Sequence, residues 1–296
     1  MNDKSFYYLA SYPRSGNTWC RLFIYELFKS KFFGLNAYEE NSCFRGSQDH
    51  NDFFKIQSMI SSRQCIDDQL GFESSDLLLN ELDTYRPKTE LNKINGIKNF
   101  NVLKVHDAFI SPLNGGNPVM PIKDCKGVIY LVRNPIDIVA SLSKFYEWDV
   151  QKTIEFLIDI NAGLCNSSQS CSNFVRQYMG SWAFHVKSWT TQEKLPIIVV
   201  RYEDLVKSPH KYFFQIAEFL KLSSNENEIN NAIRKTTFET LKNNQLKYQA
   251  FIEKPKSCKE FFWKGLLGEG EKIINTFQRD KIIDSLGDVM EFYSYI

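Results

Sequence analysis

The chain has 296 residues, 43% of them hydrophobic and 24% charged, with a net charge of +1. These are the proportions of a folded globular protein, and the near-neutral balance argues against an extended nucleic-acid or polysulfated-glycan surface, which needs clustered Lys and Arg. Seven cysteines without CxxC pairing read as reduced, buried thiols. No apolar run approaches the roughly 18 residues of a membrane span, so a cytoplasmic protein without membrane contact is expected.

The first element is the apolar run FYYLAS, Phe6 to Ser11, a short buried strand. TWCRLFIYELFKSKFF follows from Thr18 with helical spacing, Leu22, Phe23, Leu27 and Phe28 sharing one side. Between them lies YPRSGNTW, Tyr12 to Trp19. A loop between a strand's carboxyl end and a helix N-terminus gathers free N–H groups suited to an anion. Gly16 permits the torsions of an anion nest, Ser15, Asn17 and Thr18 add side-chain donors, and Arg14 supplies a cation. The loop lacks the leading glycine and GK pair of nucleoside triphosphatase loops. A capped strand-to-helix turn is the local alternative.

Gly34 to Asn99 is polar and weakly periodic, and is expected to hold helices and loops over a site. NVLKV (Asn101–Val105), GVIYLV (Gly127–Val132) and PIIVV (Pro196–Val200) are continuous runs of the kind found in a parallel sheet covered on both faces. Helical patterns at Asp137–Phe145, Val175–Thr190 and His210–Leu220 separate or follow them. The alternation predicts one domain over residues 1–296, a three-layer α/β sandwich with a central parallel sheet. NAGLCNSSQSCSN (Asn161–Asn173) reads as a mobile loop. GVIYLV runs into Arg133 rather than an acidic Mg²⁺ ligand, so no metal is expected. His50, His185 and His210 read as structural, and Glu203 with Asp204 as a helix cap. Taken alone, Arg133 reads as a salt-bridge partner of Asp137.

Five segments in order resemble the cytosolic-type sulfotransferases that use 3′-phosphoadenosine 5′-phosphosulfate (PAPS), including bacterial-like small-molecule members. YPRSGNTW is similar to that family's YPKSGTTW, with Arg14 in the lysine position and Asn17 in that of the first threonine. LKVH (Leu103–His106) resembles KTH, and RNPIDIVAS (Arg133–Ser141) resembles RNPxDxxxS. RYEDL (Arg201–Leu205) with TTFETLKNN (Thr236–Asn244) resembles the adenine segment TSFxxMKxN. FFWKGLLGEGEK (Phe261–Lys272) is a degraded relative of RKGxxGDWK, with Trp263 in place of arginine.

The resemblance implies a P-loop-like sulfotransferase fold. It also implies transfer of a sulfuryl group from PAPS to a hydroxyl or amine of a small-molecule acceptor, such as a secondary metabolite, leaving 3′,5′-adenosine bisphosphate (PAP). His106 would be the general base, with Arg14 and Lys104 neutralising charge on the leaving group and sulfate oxygens. Arg14, Ser15, Gly16, Asn17 and Thr18 would hold the 5′ end; Arg133, Ser141, Lys264 and Gly265 would hold the 3′-phosphate, Trp263 lacking the charge of the arginine it replaces. Trp19 and Phe238 would sandwich the adenine and Tyr202 would hydrogen-bond it, although core packing also accounts for three aromatic rings.

Acceptor choice is assigned to the segments outside these motifs, Gly34–Asn99, Asp107–Met120 and Phe145–Asn173, the first and last of which are expected to cover the acceptor. They mix Phe53, Phe54, Phe109, Tyr146 and Trp148 with Asp49, Asp52, Asp107, Glu147 and Asp149, an acidic aromatic pocket for a hydroxylated or cationic small molecule. The rival functions are a Mg²⁺-dependent P-loop kinase of a small metabolite and a non-catalytic PAP-binding protein. KIINTFQRDK (Lys272–Lys281) matches the family's dimer segment KxxxTVxxxE only at Lys272 and Thr276, so monomer and homodimer both stay open.

Overall fold

A computed structural model describes residues 5–33, 61–95, 101–111, 117–166, 172–223, 225–248, 258 and 260–296. Cys43, Asp49, His50, Asp52, Phe53, Phe54 and Cys171 lie outside the described residues. The strands are β1 (Phe6–Ser11), β2 (Asn101–Val105), β3 (Cys125–Val132), the two-residue β4 (Gly163–Leu164) and β5 (Gln177–Tyr178), and β6 (Ile197–Arg201). β2, β1, β3 and β6 form a four-stranded parallel sheet in that order.

The side-chain alternation of β1 explains the layers. Tyr7 and Leu9 pack with Leu22, Phe23 and Leu27 of α1 (Asn17–Phe33). Phe6, Tyr8 and Ala10 face the opposite layer. Two further helices, α2 (Arg63–Leu70) and α3 (Leu79–Asn95), lie in the long segment before β2. The second layer is built from α4 (Pro135–Tyr146), α5 (Val150–Ile158), α6 (Trp182–Thr190) and later α11 (Thr276–Phe292), with Ile138, Ile154, Trp182 and Leu286 buried in it. α7 (Tyr202–Lys207), α8 (Pro209–Phe219), α9 (Glu226–Lys235) and α10 (Phe238–Tyr248) return to the first, where Phe213 and Ile229 are buried. No helix among the described residues is long and apolar enough to cross a membrane.

Two expectations are corrected. The helix expected from Val175 begins only at Trp182, because Gly180 sits at φ 63 and Ser181 caps the helix, its Oγ accepting the Phe184 N–H at 3.2 Å. Within Asn161–Asn173, Gly163 and Leu164 are ordered as β4, paired antiparallel with β5; residues 167–171 lie outside the described residues.

Candidate active site

The strand order makes the β1/β3 boundary a switch point, since the chain leaves β1 for β2 on one side and then crosses to β3 on the other. Loops beyond the carboxyl ends of two such strands diverge and leave a crevice. The two arginines that follow them meet there: Arg133 Nη1 donates to the Arg14 carbonyl at 2.9 Å. Arg133 makes no ion pair with Asp137; its guanidinium lies 4.4 Å from the Tyr202 ring centroid.

The loop after β1 is bent at two residues with positive φ, Arg14 at 68° and Gly16 at 94°. A Cβ at Gly16 would fall 2.7 Å from Tyr202 Cδ2, so both torsion and space require glycine. Ser15 Oγ is buried without a hydrogen-bond partner. The Asn17 side chain differs from its expected role, because its Nδ2 donates back to Leu9 O at 3.1 Å and Ser11 Oγ at 3.2 Å. It braces the loop against β1, so this side-chain amide is not free to donate to an anion.

Arg14 is gripped from several directions. Its Nε donates to Ser141 Oγ at 3.0 Å and its Nη2 to the Phe261 carbonyl at 3.1 Å. Its guanidinium carbon lies 4.5 and 4.8 Å from the ring centroids of Phe145 and Phe261. Burial, reinforced by the Arg133 charge, lowers its pKa to about 10, which still leaves it cationic at neutral pH.

His106 follows β2 and is buried. Its Nδ1 lies 2.8 Å from the Ser11 carbonyl, which can only accept, so Nδ1 carries the proton and Nε2 is left as an acceptor. Burial, and then the Lys104 charge, pushes its pKa down to about 3, so the ring is neutral. The carbonyl of His106 accepts from His185 Nε2 at 3.1 Å, and His185 Nδ1 accepts from Tyr130 Oη at 2.8 Å. His185, read from the sequence as structural, props the backbone of His106.

A cavity of about 1090 Å³ is lined by Arg14, Gly16, Asn17, Thr18, Trp19, Lys104, His106, Arg133, Ser141, Tyr202, Phe238, Trp263, Lys264 and Gly265. Of the catalytic and nucleotide-binding residues named from sequence, Ser15, which is fully buried, is the one that does not line it. Trp19 meets Tyr202 and Phe213 edge-on at 6.2 and 5.1 Å. Gly265 has φ 66 and a Cβ there would sit 2.4 Å from Phe238 Cδ2. The sequence reading missed the residue that seats this wall: the Asp137 carboxylate accepts the N–H groups of Gly268 and Gly270, both at 2.9 Å. Its signal was an acid in the first turn of a helix after Asn-Pro. Glu269 beside it pairs with both Lys264 and Lys272.

A family model described as "Sulfotransferase domain" matches residues 7–291. The chain belongs to the sulfotransferase domain family. Sulfotransferase 1B1 of Canis lupus familiaris is 28% identical over 168 residues, 53% of this chain and 52% of that protein. Sulfotransferase 1E1 of Homo sapiens is 26% identical over 247 residues, 80% and 66% respectively. The chain thus spans about half to two thirds of the length of these curated relatives. Among solved structures, mouse sulfotransferase 7A1 complexed with PAP superposes with a TM-score of 0.58 at 17% identity, covering 97% of this chain and 85% of that one. Retinol dehydratase in complex with retinol and PAP gives 0.62 at 17% identity, covering 98% and 82%. These likenesses establish the expected three-layer sulfotransferase fold.

One further stretch of the wall of this sulfotransferase domain is rich in aromatic rings, Phe145, Tyr146, Trp148, Phe156 and Phe174, beside Leu164, Cys165, Ser172 and Gln177. Tyr146 and Trp148 stack at 4.6 Å and Phe156 meets Trp148 edge-on at 5.2 Å. Of the acids expected to share this wall, the three among the described residues, Asp107, Glu147 and Asp149, do not line the cavity. Asp107 turns away into a buried pair with Arg86 at 2.8 Å, Asp149 caps α5 by accepting from the Lys152 N–H, and Glu147 is exposed at the end of α4. Phe109 packs on Trp189 instead. Among the described residues no cluster of three or more His, Cys, Asp or Glu is placed to hold a metal ion.

Proposed function

We propose that this chain is a PAPS-dependent sulfotransferase acting on a hydroxyl of a small, largely apolar aromatic acceptor, with His106 as general base. The observation that carries this is the Nδ1 contact of His106 with Ser11, which leaves an unprotonated Nε2 in a cavity that also holds Arg14 and Lys104. Proton acceptor and cations are thereby separated in role, as a transfer that deprotonates one oxygen and loads charge on another requires.

The residues present suit the nucleotide. The buried, unpartnered Ser15 Oγ and the Nε of Arg133 await an acceptor, and the glycines at 16 and 265 let the Tyr202 and Phe238 rings approach where a Cβ would collide with them. Arg14, Ser15, Gly16, Asn17 and Thr18 would hold the 5′ end, Arg133, Ser141, Lys264 and Gly265 the 3′-phosphate, and Trp19, Tyr202 and Phe238 the base. PAPS, when bound, supplies the sulfuryl group and departs as PAP. His106 Nε2 takes the hydroxyl proton, while Arg14 and Lys104 offset negative charge on the leaving side. The aromatic wall favours an apolar acceptor, and the cations facing it disfavour a protonated amine.

The test is label transfer from radiolabelled PAPS to a panel of phenols and other hydroxylated aromatics, with EDTA present. EDTA-resistant labelling is expected. Mg²⁺-dependent phosphoryl transfer from ATP would indicate the kinase instead, and tight PAP binding without turnover on any acceptor would indicate a binding protein.

A further inference from the structure

The 3′-phosphate end is short of charge as its motif residues stand. Trp263 brings none where the resemblance expects arginine. Lys264 shares its charge with Glu269, and Arg133 Nη1 is committed to the Arg14 carbonyl. A phosphate monoester carries about −1.5 to −2 at pH 7 and favours charge-assisted donors. The Trp263 ring nevertheless collects cations: Lys264 Nζ lies 4.6 Å from its centroid and Lys144 Nζ 6.0 Å.

Lys144 stands in the last turn of α4, three positions beyond Ser141 and so on the same side of the helix. It is exposed, and among the described residues it has no carboxylate partner. At 6.0 Å the indole holds it only at the outer reach of a cation–π contact, which leaves its four-carbon stem able to turn toward a stronger anion. We propose that Lys144 is a phosphate-binding residue, supplying the positive contact that Trp263 does not, with the indole keeping its ammonium near Lys264. This rests on the reading that the cavity binds PAP.

Calorimetric titration of the full chain with PAP and with adenosine 5′-monophosphate tests it. Lys144→Ala should weaken PAP about tenfold, the loss of one charge-assisted contact, and leave the monophosphate unchanged. Trp263→Arg should tighten PAP, and in that background Lys144→Ala should cost less than about twofold. Unchanged PAP affinity in Lys144→Ala, equal loss for both ligands, or an undiminished effect beside Arg at 263 would each overturn the assignment. A wild-type chain that binds the two ligands equally removes the 3′-phosphate reading and the assignment together. A wild-type preference for PAP that Lys144→Ala does not change removes the assignment alone.

Discussion

The Nδ1 proton of His106 is committed to the Ser11 carbonyl, and that one bond decides which nitrogen can accept from a substrate. His106→Ala should therefore lower sulfuryl transfer by about a hundredfold or more while PAP affinity, measured by calorimetry, stays within about twofold. Near-normal turnover would remove the base assignment. Because burial and Lys104 hold its pKa near 3, His106 stays neutral through mildly acidic pH, so the acid limb of kcat/KM that it governs should lie below about pH 4. A limb near the unperturbed 6.5 would identify a different base. Gly265 makes a separate claim about space. Its φ of 66 and the 2.4 Å approach to Phe238 mean that Gly265→Ala should displace that ring and weaken PAP about tenfold with little change in the unfolding midpoint. Unaltered PAP affinity would show that Phe238 does not touch the base.

At the scale of elements, α3 and the end of β2 are joined by a buried ion pair. Arg86 donates to both Asp107 oxygens at 2.8 and 3.2 Å and to Ser61 Oγ at 2.7 Å, directly behind His106. Removing one partner of such a pair leaves a buried charge uncompensated, so Arg86→Met should cost about 3–5 kcal/mol in urea unfolding. Adding Asp107→Leu should recover part of that loss, since Glu90 and Asp83 also lie within 4.0 Å of the guanidinium and stay behind; a double variant no more stable than the single would show that Asp107 is not the partner that matters. This contact also marks where sequence reading reached its limit. The parallel strands were legible because buried β-branched runs leave a continuous pattern, and the anion loop because YPRSGNTW joins a strand to a helix. Motif resemblance reached most of the cavity wall. The direction of the Asp107 side chain was not legible, because it depends on an arginine twenty-one positions earlier, on α3. The β4–β5 hairpin is too short to show a period. The Asp137 clamp joins residues more than 130 positions apart, which no local spacing encodes.

Over the whole molecule, the same burial that prepares His106 makes the fold sensitive to acid. His106 and His185 are fully within the structure and neutral, with pKa values lowered by burial to about 3 and about 4 against 6.5 for an exposed histidine. Below pH 6.5 the unfolded chain binds protons that the folded chain refuses, so stability is complete above that value and falls as pH drops toward 4. Each such histidine contributes a slope of about 1.4 kcal/mol per pH unit in that window. Glu26 and Asp83 act in the opposite sense, since burial raises their pKa values and the folded chain takes up their protons more readily, which tempers the loss. Urea unfolding of the wild type and of His185→Gln at several pH values should separate their shares. Glutamine does not titrate and keeps an N–H able to reach the His106 carbonyl, so the variant should lose about one histidine's worth of slope even if its stability at pH 7.5 is lower. A slope equal to that of the wild type would mean that His185 gains no proton on unfolding, and that the Tyr130–His185–His106 chain is not the source of the acid response.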